Sequence, residues 1–290
     1  FRSPGKEPNA VVLETDVVEQ KTGTFTIGGG YSENDGLIGI IELGDNNFRG
    51  TGDKAKIHWE FGGDTDNKNY SIGYTKPWLD SKETSASFNF YDMTNEYTDY
   101  QNGKEYSTYD RNRKGWDVTL GRPQNEYMKN YITFKSRDDK YVEHVSGPHD
   151  VSNDTEYLHD NFGLTHSATL SRVFDSRDNV FNPTEGSYYS LSAEFAGRFM
   201  GGEFNFNKYT AESRKYYKVG KDHVIAVRTE AGYADGRMPQ SGKFNVGGSD
   251  SLRGYDDDQF EGDKMLLGSV EYRFPIVKKV QGVVFSDIGN

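Results

Sequence analysis

The sequence predicts an all-β fold, a transmembrane antiparallel β-barrel, on three observations. Apolar and polar residues alternate at period two along most of the chain, the signature of strands with one apolar face. Hydrophobic residues make up only 33% of the 290 residues, yet aromatics reach 14%. No apolar run approaches the roughly 20 residues that a membrane helix needs. Low apolar content with a net charge of −11 is the usual mark of disorder, but 20 Tyr and 18 Phe argue against it. A sheet that is polar on one face and aromatic or aliphatic on the other accommodates all three.

Residues 10–19 read as a strand, followed by Gln20-Lys21-Thr22-Gly23. From Thr24 the alternation dominates. Phe25, Ile27, Gly29 and Tyr31 share one face; Ile57, Trp59 and Phe61 oppose Lys56, His58 and Glu60. Tyr70, Ile72 and Tyr74 follow, then Trp116, Val118 and Leu120, then Tyr189, Leu191, Ala193 and Phe195. Val270, Tyr272 and Phe274 alternate with Glu271 and Arg273. Turn signals such as Glu33-Asn34-Asp35-Gly36 separate the pairs. The pattern predicts about fourteen strands, at 24–32, 36–44, 53–63, 68–76, 84–95, 106–121, 126–143, 162–176, 186–197, 203–219, 222–234, 254–260, 265–274 and 280–287. Most suit the 9–11 residues of a tilted membrane strand, and 254–260 is short. No amphipathic helix stands out. A soluble sandwich or propeller would bury the apolar face against another sheet; a barrel would turn it to lipid. Trp59, Trp78 and Trp116 suit an interfacial belt or a soluble core.

Several functions are disfavoured. Net acidity speaks against nucleic acid as a partner, which would require a basic stripe. Without cysteine there is no disulfide, thiol nucleophile or cysteine zinc site. His144, His149, His159 and His166 fit no standard zinc spacing and read as solvated loop residues. Asp256-Asp257-Asp258 lacks EF-hand spacing. Gly50-Thr51-Gly52-Asp53-Lys54 is not a phosphate-binding loop, and no catalytic triad stands out. No metal, cofactor or enzymatic activity is expected.

The segment Gly247-Gly248-Ser249-Asp250-Ser251-Leu252-Arg253-Gly254-Tyr255 places one arginine between glycine-rich turns. It resembles the sixth extracellular loop of the BamA-type outer-membrane assembly superfamily. Leu267–Phe274 and Val283–Asn290 look like the two strands that follow it. Asp45–Lys54 matches the family's turn after the second strand, and Phe174–Gly186 its mid-barrel turn. The resemblance runs in order from residue 10 to 290. It implies that residues 1–22 end a last periplasmic POTRA domain and its linker. Residues 23–290 would be the barrel, with the closing strands of sixteen missing, since Asn290 is not the usual terminal aromatic residue. It further implies a bacterial outer-membrane location, with lipid, barrel-protein clients and accessory assembly subunits as partners.

Two sites follow from the resemblance. The loop would fold into the lumen, where a lone guanidinium is costly. Family precedent sets Glu271 and Asp287 against Arg253, with Gly254 and Tyr255 at the tip. Gly247 and Gly248 would let the loop approach the wall. The cluster would either stabilise the barrel alone or brace it during insertion. The second site is the first strand, Thr24, Phe25, Thr26, Ile27, Gly28, Gly29, Gly30 and Tyr31, which would part from the last strand and offer its edge to a client. Its glycines would weaken the seam or accommodate curvature or a neighbouring side chain. The implied function is folding and insertion of barrel proteins. A TamA-like translocation factor, a two-partner secretion transporter and a passive porin are the alternatives.

Overall fold

A computed structural model describes residues 2–4, 11–13, 16, 18–32, 36–62, 68–277 and 280–290. Two short strands, β1 (Arg2–Pro4) and β2 (Val11–Leu13), pair with each other. They fall in the segment expected to end a POTRA domain; much of residues 1–22 lies outside the described residues. The wall then begins: β3 (Gly23–Ser32), β4 (Gly36–Phe48), β5 (Asp53–Gly62), β6 (Lys68–Lys76), β7 (Ser85–Gln101), β8 (Lys104–Pro123) and β9 (Met128–Ser146). A short helix, α1 (Thr155–Asn161), precedes β10 (Gly163–Asp175), β11 (Gly186–Ala196), β12 (Asn205–Gly220) and β13 (His223–Arg237). A long loop carries β14 (Phe244–Val246) and β15 (Phe260–Gly262) before β16 (Lys264–Val277) and β17 (Val280–Gly289).

Thirteen of these strands form one antiparallel sheet in chain order, from β3 at one edge to β17 at the other. Thirteen of the fourteen predicted strands are therefore present. The exception is 254–260, which lies in the loop. Its charge run, Asp256-Asp257-Asp258, and Gly254 with a φ of +97° suit a turn; β14 and β15 flank it as a separate two-stranded ribbon. The helix α1 was also unexpected. Asp154 caps it by accepting from the Tyr157 backbone N–H at 3.0 Å, but seven residues give too short a stripe to register as periodicity.

The outer face carries the apolar alternation. Phe25 is 63% exposed and Ile27 69%, and Trp59, Trp116, Leu191, Val270 and Tyr272 are exposed as well. The opposite face is polar and mutually paired: Lys56 meets Glu42 at 2.7 Å, Lys135 meets Glu194 at 2.9 Å, and Arg113 meets Asp139 at 2.7 Å. A soluble sheet would bury its aromatic face and solvate its ionic one. This sheet inverts that order, as a wall between lipid and a polar lumen does. One of the buried apolar clusters lies under the loop, where Phe244 and Val246 pack with Ala234, Met265 and Leu267.

Candidate functional site

The loop between β13 and β16 lies inside the curve of the sheet and is tied to strands on both sides of it. From β12, Lys208 Nζ donates to the Gly242 carbonyl at 2.6 Å. From β13, Arg228 Nη1 donates to the Asp250 carbonyl at 2.5 Å. From β8, Arg113 Nη2 donates to Ser241 Oγ at 3.4 Å. From β7, the Tyr97 hydroxyl donates to Glu261 Oε1 at 2.8 Å. Strands so far apart in the sheet can reach one loop only if the wall wraps around it.

The tip is fixed by Arg253. Its Nε donates to Asp287 Oδ2 at 2.7 Å and its Nη2 to Asp287 Oδ1 at 2.6 Å, a bidentate pair. Nη1 donates to Glu271 Oε1 at 2.8 Å. The Arg253 backbone N–H also donates to Asp287 Oδ2, at 3.2 Å. The structure thus brings three of the predicted residues together. Alternation explains why: Glu271 is paired across β16 and β17 with Phe285, and Ser269 with Asp287. All four face the lumen while Val270 and Tyr272 face out. The Asp287 side chain is 3% exposed and that of Arg253 23%, so water competes weakly for these bonds. The carboxylates, Asp287 foremost, hold the Arg253 guanidinium above its ordinary pKa.

Three further residues complete the site. Ser269 Oγ accepts from Arg253 Nη2 at 3.1 Å and donates to Asp287 Oδ1 at 2.7 Å. The Phe285 ring lies under the guanidinium, 3.5 Å from Cζ to the ring centroid, a cation–π stack. Arg273 holds the second oxygen of Glu271, with Nη2 to Oε2 at 2.7 Å. Sequence reasoning passed over them, although stepping by two from Glu271 and from Asp287 reaches all three.

Two predicted roles change. Tyr255 does not join the wall cluster; it is half exposed and packs edge-on against Phe260, with centroids 5.1 Å apart. Gly247 and Gly248 do not approach the wall. Their φ values of +142° and +83° turn the chain against the loop's own return limb, where a side chain would strike Asp256 and Asp257. The loop is compact because its two limbs touch there.

The first strand, β3, forms one edge of the sheet and pairs only with β4 among the described residues. Phe25, Ile27 and Tyr31 point outward and exposed. A Cβ added at Gly28 would meet nothing within 4 Å, and at Gly29 and Gly30 only ordinary contacts at 3.5 and 3.6 Å. Among the described residues, these glycines clear no space for a neighbouring side chain.

A model of the Omp85 superfamily domain matches residues 47–290. The chain belongs to the Omp85 superfamily. Among curated Omp85-type relatives, the outer membrane protein assembly factor BamA of Nitratidesulfovibrio vulgaris is 26% identical over 93% of this chain and 34% of its own length. The chloroplastic outer envelope protein 80 of Arabidopsis thaliana is 25% identical over 99% of the chain and 40% of its own. The chain thus spans about a third to two-fifths of these relatives. Among solved structures, BamA from Haemophilus ducreyi lacking POTRA domains 1–3 matches with a TM-score of 0.75 at 20% identity, over 93% of this chain and 58% of that one. CdiB from Escherichia coli matches at 0.70 and 13% identity, over 100% and 56%. The chain is an Omp85 barrel wall of the outer membrane.

Proposed function

We propose that this chain is the membrane barrel of a BamA-like assembly factor, which folds and inserts β-barrel client proteins through a seam at β3. The observation that carries this reading is the β3 edge. Among the described residues its outer backbone groups have no partner, so they can template strand addition, and Gly28-Gly29-Gly30 has no close neighbour there. Relatives named as outer membrane protein assembly factors support it. Each client strand that pairs with β3 gains backbone hydrogen bonds, so client folding itself supplies the energy. No covalent step, nucleotide or cofactor is needed, and local thinning of the bilayer near the seam lowers the barrier. Arg253 braces the wall at β16 and β17 through Glu271 and Asp287 while the seam is parted. Residues 1–22 join this wall to periplasmic POTRA domains, and accessory subunits complete the machine.

A disulfide lock tests this. A cysteine at Thr26 is cross-linked to a cysteine on whichever strand closes against β3 in the full-length protein. Assembly of a barrel client into vesicles should stop on oxidation and return on reduction. Undiminished assembly in the locked form would exclude the seam.

A further inference from the structure

Two phenylalanines, Phe181 and Phe199, are the most exposed large apolar residues described, at 98% and 93%. They sit in the turns at opposite ends of one strand, β11. Phe181 lies between β10 and β11, and Phe199 between β11 and β12, on the same end of the wall as the Arg253 loop.

Neither turn is slack. Around Phe181, Asn179 Oδ1 accepts from the Phe181 and Asn182 backbone N–H groups at 2.8 and 3.2 Å. Asp178 accepts from the Thr184 and Glu185 backbones at 2.9 and 3.2 Å, and from Thr184 Oγ1 at 2.6 Å. Arg177 is clamped to Asp175 through Nε and Nη2 at 2.9 and 2.7 Å. Such side-chain-to-backbone bonds fix a turn. Around Phe199, the single 3₁₀ turn Arg198–Met200 is closed by Met200 N–H to the Gly197 carbonyl at 3.1 Å. Arg198 itself adopts a φ of +57°, an unfavourable conformation for a residue with a Cβ. Its Nη2 is tied to Asn207 at 2.9 Å. Each end of β11 thus spends backbone order on holding an aromatic ring away from the protein.

The strand between them sets a length. β11 has 11 residues; at about 3.3 Å per residue and a tilt near 45°, it climbs about 25 Å, the height of the apolar band on an outer-membrane barrel. Its outward residues from Tyr189 through Leu191 and Ala193 to Phe195 are aromatic or aliphatic, with Ser187 at the end nearer Phe181. A large ring at each limit of such a band fits the two polar–apolar interfaces of the membrane. We propose that Phe181 and Phe199 are membrane anchors: the bilayer is their partner, one ring entering each leaflet at its interface, and together they fix the height of the β10–β12 wall. This concerns the membrane wall alone and stands whether or not the seam reading holds.

The chain has no cysteine, so single thiols can be placed at will once any outside this chain are replaced. The full-length protein, in vesicles of phosphatidylethanolamine and phosphatidylglycerol, is nitroxide-labelled at Phe181→Cys, Phe199→Cys, Leu191→Cys and Asn153→Cys. Leu191 serves as the mid-wall reference and Asn153, exposed in the loop before α1, as the aqueous one. Collision rates with oxygen, enriched in lipid, and with a water-soluble nickel complex are compared. Both anchor positions should give oxygen-to-nickel ratios between the two references and at least threefold above Asn153. A ratio equal to that of Asn153 at either position overturns the proposal, including the case in which a soluble partner covers Phe181. Because a label could alter the local depth, Phe181→Trp and Phe199→Trp provide a second reading. Their added emission should be quenched by phospholipids brominated near the headgroup; emission typical of water, with no quenching, overturns it as well.

Discussion

Arg253 makes more polar contacts than any other residue of the loop: charged bonds to two carboxylates, a hydroxyl contact and a backbone bond. The bidentate pair with Asp287 depends on a planar fork, which lysine lacks. Arg253→Lys should keep the charge and lose on the order of 2 kcal/mol, the scale of hydrogen bonds to charged groups. A lower temperature for loss of the compact band in heat-shift electrophoresis checks this; an unchanged temperature refutes the bidentate argument. Ser269→Ala should cost less, about 1 kcal/mol, because Asp287 keeps its three bonds from Arg253. Phe285→Leu should cost about 0.5–2 kcal/mol by removing the stack. The arginine and its two carboxylates were legible because the motif and the family pattern name them. Ser269, Phe285 and Arg273 carry no motif; alternation puts them on the same face as Glu271 and Asp287, and the register between β16 and β17 sets Ser269 opposite Asp287 and Phe285 opposite Glu271. Tyr255 was misplaced because the tip motif does not say which way its aromatic ring turns.

At the scale of elements, β3 and the β14–β15 ribbon respond to different variables. Gly28 has room for a side chain, so Gly28→Ala should stiffen β3 by about 0.5–1 kcal/mol. On the seam reading the variant melts no lower than the parent yet assembles client more slowly; faster assembly would contradict that reading. Glu261, on the ribbon, is pushed up to about 8 by burial, with the Asp99 carboxylate beside it adding to the shift. Its folded value lies above its free value, so the protonated form favours the docked loop. Docking is therefore strongest at low pH and weakens as pH climbs from about 4.5 through 8. Protease cleavage in the loop should accelerate across that window, and Glu261→Gln should flatten the dependence. The wall strands were legible because a membrane wall enforces strict alternation. Segment 254–260 misled because a few residues of turn can mimic half a strand, and α1 escaped because two turns of helix carry too little period.

Across the whole molecule the arrangement separates two jobs. Among the described residues, β3 pairs with β4 alone and Gly28, Gly29 and Gly30 have no close neighbour. β16 and β17 are tied by charged bonds to a loop that also reaches β7, β8, β12 and β13. Composition conveyed the inversion of polar and apolar faces, but not how the loop fills the lumen, which depends on contacts between residues more than a hundred positions apart, such as Tyr97 and Glu261. The most direct test places a photoactivatable benzoylphenylalanine at Ile27 on β3, and separately at Ile72 on β6, in the full-length protein engaged with a stalled barrel client. The client should cross-link from Ile27 and not from Ile72. Equal cross-linking from both positions, or none from Ile27, would contradict it.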